Sequence, residues 1–353
     1  MPPIRFIHAA DLHLDAAFSG LSRDIPAEFA ERLRTATFTA FRRLLDLCER
    51  ESPDFLLLAG DVYNQEDASV SAQLALRDGF RRLESLSIPV FLVHGNHDPL
   101  ASRLRSVRWP GNVTVFGELP DAVPVFRKGE GTPFAIIHGA SHASGRETRN
   151  LAALFRRTEA CGLHVGLLHA TPGDADGVAR YAPFSQEDLK ASGMDYWALG
   201  HIHDRREVCR EPLAAYPGCT QGLHINEPGE KGCLLVTAEA RPDGGYAVRT
   251  SFRPLGPAVW KTLDMDLGGA ASLDELENRL RTGLDRAAAE VWSGCEMLLV
   301  RLRLQGRTEL DGLLRKGTTC AELADRLRED GNGVPRIWIK DIDVATRPCV
   351  ERG

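Results

Sequence analysis

No Cys-x-x-Cys pair occurs among the eight cysteines of this 353-residue chain. Cys48, Cys161, Cys209, Cys219, Cys233, Cys295, Cys320 and Cys349 are scattered, which argues against a disulfide framework or a Cys-built zinc site and for reduced thiols without chemistry of their own. No apolar run approaches the roughly 20 residues that a membrane helix needs. The opening residues Met1-Pro2-Pro3-Ile4-Arg5 lead into a strand-like segment without the apolar core of a signal peptide, so the expected location is the cytoplasm, with no membrane partner. Positive charge is not in excess either. Lys and Arg number 43 against 49 Asp and Glu, a formal net charge of -6, so composition alone does not advertise a nucleic-acid binder. Arg103, Arg105, Arg108, Arg146, Arg149, Arg156 and Arg157 nonetheless allow a local basic face, or simply a solvated one. Internal repeats and low-complexity segments are absent.

What is present is enough apolar residues for a sizeable core and enough length for two domains. Residues 4–10 read as a first strand that ends in Asp11-Leu12-His13. A carboxylate and an imidazole two residues apart in extended backbone project to one side, the spacing that lets both ligate one ion. Residues 26–51 carry apolar side chains near helical spacing and predict one amphipathic helix. The all-apolar run Phe55-Leu56-Leu57-Leu58-Ala59 predicts a strand buried on both faces, ending in Gly60-Asp61 and, three residues on, Asn64. Residues 68–86 predict a second helix and 88–93 a third strand, which delivers Gly95-Asn96-His97-Asp98. A β-α-β-α-β succession implies parallel strands with right-handed crossovers, so Asp11, Asp61 and Asn96 are expected at one sheet edge.

Further on, short strands are expected at 113–116, 123–126 and 134–138, and a helix at 151–159. Residues 164–168 predict a strand that delivers His169. A helix follows at 185–191, then a strand at 196–199 leading into Gly200-His201-Ile202-His203, and an HxH pair is a far more specific ligand pattern than a lone histidine. Strands at 207–209, 214–216, 232–237 and 247–252 make this half β-rich. The Pro/Gly junction at 253–257 marks the expected boundary, with domains at 1–256 and 257–353. Beyond it a βαβαβ-like pattern (259–267, 272–289, 297–304, 320–328, 337–342) carries no cluster of ligand-type residues.

Read singly, each motif has a plainer explanation. Gly95 to Asp98 is ordinary turn chemistry, a lone His169 suits a loop, and Asp-x-His arises by chance. Read together, five segments each follow an apolar run at a strand's C-terminal end, where α/β proteins place their chemistry. The series resembles the calcineurin-like metallophosphoesterase superfamily over roughly residues 4 to 255. That resemblance implies an α/β (α+β) four-layer αββα sandwich with a two-metal centre at the strand ends. Carried over by position, Asp11, His13, Asp61 and His203 would hold one metal, and Asp61, Asn96, His169 and His201 the other, with Asp61 bridging. The mixed carboxylate, amide and imidazole set suits Mn²⁺ and also admits Fe or Zn. The implied reaction is hydrolysis of a phosphoester, with His97 as the catalyst outside the metal shell and Asp98 orienting it.

Finer resemblance comes from Ala9-Ala10-Asp11-Leu12-His13-Leu14-Asp15, Tyr181-Ala182-Pro183-Phe184, Asp195-Tyr196-Trp197 through His203, and Tyr216-Pro217-Gly218-Cys219-Thr220-Gln221-Gly222 with Glu230-Lys231-Gly232. These look like the SbcD-like DNA repair exonuclease branch, whose members add a small C-terminal α/β capping domain. The branch implies a manganese-dependent DNA nuclease, with Asn64 and Tyr181 beside the substrate, a homodimer, and an SMC-like coiled-coil ATPase as partner. Asn64 stands where many break-repair nucleases have histidine. The helical tail that docks on the ATPase has no counterpart before Gly353. Two other readings stay open at this point: a phosphodiesterase acting on small nucleotides, and a DNA-binding subunit with a vestigial site.

Overall fold

The run Phe55–Ala59 has no polar face to offer water, and in the computed structural model it is buried end to end as strand β2. The structure describes residues 2–21, 25–64, 69–102, 107–173, 180–242, 244–329 and 333–349. The chain forms two compact units, one of Met1–Ala16, Thr37–Gln221 and Lys231–Leu255, the other of Ala17–Ala36, Gly222–Glu230 and Gly256–Gly353.

The first unit is built on two six-stranded sheets. With β1 at Ile4–Ala9, β3 at Val90–Val93, β4 at Val113–Val115, β11 at Gly232–Ala240 and β12 at Tyr246–Pro254, one sheet runs β12-β11-β1-β2-β3-β4. Strands β1 to β4 are parallel, and β11 and β12 are antiparallel additions on the β1 side. The other sheet runs β5-β6-β7-β8-β10-β9, from Asp121–Val125, Ala135–Ala140, Leu163–His169, Tyr196–Gly200, Leu213–Tyr216 and Arg206–Arg210 respectively. Its centre, β6-β7-β8-β10, is parallel. Phe6, Phe55, Leu57, Phe91, Ile137, Val165, Leu167 and Tyr196 fill the space between the sheets, each fully buried side chain contributing about 1.5–3 kcal/mol. On the outer face of the first sheet lie α2 (Ala36–Glu51) and α3 (Val70–Ser85), through Phe41, Leu44, Leu76 and Phe80. On the outer face of the second lie α4 (Gln186–Ala191) and a 3₁₀ turn at Ala152–Leu154, through Leu189, Ala152 and Phe155. The result is the expected four-layer αββα sandwich. Its parallel strands end together, so the loops after β1, β2, β3, β7 and β8 meet at one edge.

Two helical expectations need correction. The helix predicted over 26–51 is broken at Thr35, whose hydroxyl turns back onto the Glu31 carbonyl at 3.0 Å, separating α1 (Ala27–Arg34) from α2. The halves serve different cores: Phe29 and Leu33 join Trp260 and Trp338, whereas Phe41 and Leu44 join the sheet. The helix expected at 151–159 is only the 3₁₀ turn, because Phe155 leaves it in extended conformation and packs, fully buried, against Trp197 with ring centroids 4.8 Å apart. Helix α3 starts at Val70, capped by Ser69, and residue 68 lies outside the described residues.

In the second unit β13 (Ala258–Asp266), β14 (Met297–Gln305) and β16 (Arg336–Val344) form a parallel sheet. Helices α5 (Leu273–Glu290), α6 (Asp311–Leu314) and α7 (Thr319–Glu329) line one face through Leu276, Leu280, Leu314 and Leu327. Helix α1 lies on part of the other face. The short pair β15 (Arg307–Thr308) and β17 (Arg347–Pro348) completes it.

Candidate metal centre

The loops after β1 and β2 are zipped together: the backbone N–H groups of Asp11, His13 and Leu14 donate to the carbonyls of Gly60, Asp61 and Val62, each at 3.1 Å. Asp11, His13, Asp61 and His201 all take left-handed backbone, with φ of 51°, 41°, 49° and 104°. Non-glycine residues adopt that region at a cost of about 1–3 kcal/mol each, and such strain clusters at functional sites. The two sheets also come unusually close here. A Cβ on Gly200 would lie 1.8 Å from the Ala59 carbonyl oxygen, and one on Gly95 2.3 Å from Asp61 Oδ1, so the glycine that heads each of these motifs is a steric requirement.

The side chains gather in two groups. Asp11, His13 and His203 form one, Asp61, His169 and His201 the other, each with ligand atoms within 4.8 Å of one another. In the first, His13 Nε2 lies 3.1 Å from His203 Nε2, and Asp11 Oδ1 lies 4.0 Å from His203 Nε2. In the second, His169 Nε2 lies 3.3 Å from Asp61 Oδ2 and 3.0 Å from Asn96 Oδ1, which brings Asn96 into the group. Tautomers are set from behind. His169 Nδ1 faces the Ala59 carbonyl at 2.9 Å and His13 Nδ1 faces Asn64 Oδ1 at 2.6 Å, so donation from Nδ1–H directs both Nε2 atoms inward.

Asp11 and Asp61 are buried, and among the described residues neither pairs with Lys or Arg. Burial pushes the Asp11 carboxyl up to about 6 against the pull of His169 and His203. Burial opposes ionisation of Asp61 as well, but His169, His13 and His97 hold it well below the usual carboxylate range. Burial works against a charged His169 too, yet Asp61 and Asp11 lift it to about 9, while burial lowers His13 to about 4. Two buried carboxylates without a fixed cation, with His13 and His203 Nε2 atoms 3.1 Å apart and His169 Nε2 3.3 Å from Asp61 Oδ2, form a donor set that fits divalent cations, which would displace the proton His169 carries without them.

His97 stands at the rim. Its side chain is exposed, its backbone N–H donates to Asp61 Oδ1 at 2.9 Å, and its ring meets that of His13 edge-on at 5.3 Å. The expectation that Asp98 orients His97 is not met. Its carboxylate accepts from the N–H groups of Gly95, Asp61 and Val62 at 2.7, 3.2 and 3.0 Å and lies 3.3 Å from His94 Nδ1. A carboxylate with no exposure satisfies the backbone around it, so Asp98 locks the β2 and β3 loops together. Asn64, expected beside substrate, is turned onto His13. Tyr181 is half-buried, its ring 5.3 Å from that of His201. Of the arginines, Arg149 pairs with Glu147 at 2.7 Å and Arg157 with Asp195 at 3.0 Å, Arg108 and Arg146 are exposed, and Arg103 and Arg105 lie outside the described residues. Sequence reasoning missed His142, fully buried with Nε2 2.6 Å from the His169 carbonyl oxygen. Its signal was the one used elsewhere, a histidine just past an apolar strand.

A family model described as calcineurin-like phosphoesterase matches residues 4–205, more than half of the chain. The chain belongs to the calcineurin-like phosphoesterases. A second family model, metallophosphoesterase YhaO, middle domain, matches residues 260–347. The chain is 37% identical to the uncharacterized metallophosphoesterase YhaO of Bacillus subtilis over 97% of its own length and 82% of that protein. It is 26% identical to the DNA double-strand break repair protein Mre11 of Aeropyrum pernix, over 82% of this chain and 69% of the relative. Enzymes of this family work with a dinuclear metal site, for which the two donor groups are the candidates. No helix among the described residues is long and apolar enough to cross a membrane.

Proposed function

We propose that this phosphoesterase is a DNA nuclease acting in repair, hydrolysing phosphodiester bonds with two divalent cations, Mn²⁺ first among them. The observation that carries the reading is the pairing of two cation-suited donor groups with His97, an exposed imidazole beside them. Asp11, His13, Asp61 and His203 would hold one ion and Asp61, Asn96, His169 and His201 the other. The ions would supply Lewis-acid neutralisation of the phosphoryl oxygens and activation of the attacking water. His97 donates a proton to the departing oxygen, its backbone fixed by the bond from its amide N–H to Asp61. Asn64 and the Ala59 carbonyl hold the imidazoles of His13 and His169 in register.

Support for DNA as substrate comes from the relatives named for double-strand break repair and from the rim. Gly145 packs against Asn96, where an added Cβ would lie 3.1 Å from its carbonyl oxygen, and the next residue, Arg146, is exposed. Ala182 N–H donates to the Glu147 carbonyl at 2.9 Å, tying that loop to exposed Arg180 and to Tyr181. Exposed arginines on two linked loops, with the Tyr181 ring 5.3 Å from that of His201, suit a phosphodiester backbone with a stacked base. A Mn²⁺-dependent assay on single- and double-stranded DNA beside bis(p-nitrophenyl) phosphate, with Asp61→Ala as control, tests this. Cleavage of DNA that weakens with salt is expected. Hydrolysis of the small diester with DNA left intact would instead establish a small-nucleotide phosphodiesterase, which the net charge of -6 favours. Partnership with an SMC-like ATPase and homodimer formation belong to the same proposal. Co-purification from native extract and light scattering test them.

A further inference from the structure

The Glu230-Lys231-Gly232 motif has no part in the chemistry above, yet Lys231 is only 5% exposed. Its Nζ donates to the His203 carbonyl oxygen at 3.0 Å and to Asp204 Oδ1 at 3.0 Å. The Asp204 side chain is 72% exposed, and a carboxylate so hydrated contributes little to holding a buried ammonium. The carbonyl is therefore the fixed partner. The same oxygen accepts the Cys219 N–H at 3.3 Å, and the very next amide, Thr220 N–H, donates to the carbonyl of Asp11 at 3.4 Å. Gly232 N–H donates to the Cys219 carbonyl at 3.1 Å, and Leu255 N–H to that of Lys231 at 2.9 Å, so the brace is itself anchored on the β11 end.

Both braced carbonyls belong to one donor group, that of Asp11, His13 and His203. The need for bracing is uneven. The His169 side chain is fully buried and held by packing, and half-buried His201 is held through its own backbone N–H on the Asp11 carboxylate at 3.1 Å, whereas His203, with a side chain 31% exposed, has the brace on its own carbonyl, so the backbone fixes where its imidazole points. We infer that Lys231 is a positioning residue for the metal held by Asp11, His13 and His203, acting through the main chain of His203 together with the Cys219 and Thr220 amides. It does not serve the site of Asp61, His169 and His201. The inference rests on the two-metal reading of the proposed function.

The test is Mn²⁺ binding to the full chain, followed by calorimetry and by electron paramagnetic resonance of the free ion, with His203→Ala as benchmark for loss of one site. Wild-type protein is expected to bind two ions. Lys231→Met is expected to weaken one of them by about 10–100-fold and leave the other unchanged. Lys231→Arg should recover most of the loss. Should the methionine variant not fold, Lys231→Gln keeps a donor without the charge and is expected to weaken the same single site. A variant with a lowered Tm and both affinities intact makes Lys231 merely structural and overturns the inference alone. Equal weakening of both sites overturns its selectivity. Wild-type protein that binds no Mn²⁺ overturns the two-metal reading, and this inference with it.

Discussion

Asn64 and His97 flank the same imidazole, that of His13, and their substitutions should separate cleanly. Removing the acceptor behind His13 in Asn64→Ala frees the ring to rotate and is expected to cost about 10–100-fold in affinity for one Mn²⁺, read by titration. His97→Ala is expected to keep both ions and lose about 10²–10⁴-fold in turnover. Loss of an ion from that variant would make His97 a ligand and refute its place at the rim. That these side chains would gather at one edge was legible in the sequence because each follows an apolar run that had to become a buried strand. Their supports were not. Asn64 reaches His13 across 51 positions and Asp98 reaches Val62 across 36, and no local pattern encodes contacts that only the closed sandwich creates.

The strands themselves were readable for the same reason, and the two helical errors arose where burial of one aromatic or one hydroxyl bond outweighed periodicity. At this scale the tight approach of β8 to β2 makes a sharp prediction. Gly200→Ala should destabilise by about 1–3 kcal/mol, measured by urea unfolding, because the added methyl meets a carbonyl oxygen on the facing strand. The sheets are also joined by His8, whose ring nitrogens lie 2.9 Å from the Tyr196 hydroxyl and 3.2 Å from the Leu199 carbonyl oxygen. Burial lowers the His8 imidazole to about 3, so between about pH 6.5 and 3 the unfolded chain binds a proton that the folded chain refuses. The contribution of a neutral His8 to stability is therefore fully present above pH 6.5 and is lost as pH falls from there toward about 3, at up to about 1.4 kcal/mol per unit. His8→Gln, which cannot take up a proton, should flatten part of that acid limb in unfolding curves taken from pH 7 to 4.

For the molecule as a whole, the donor groups proposed to take Mn²⁺ come together only in the folded chain, so at about 100 times the Kd each site should add about 2.7 kcal/mol, seen as a higher Tm that chelator abolishes. An unchanged Tm would show that the donor groups do not take up the ion. Chain order hid one thing at this scale. The second compact unit draws Ala17–Ala36 and Gly222–Glu230 from between strands of the first, and a left-to-right reading has no means to see such threading. The left-handed backbone at Asp11, His13, Asp61 and His201 has a consequence for anyone who improves this protein by screening. Glycine relaxes all four positions, and neutral residues at two of them would relieve buried carboxylates. A library sorted for heat resistance alone should thus enrich variants that have dismantled the hydrolase, so durability and turnover must be selected together.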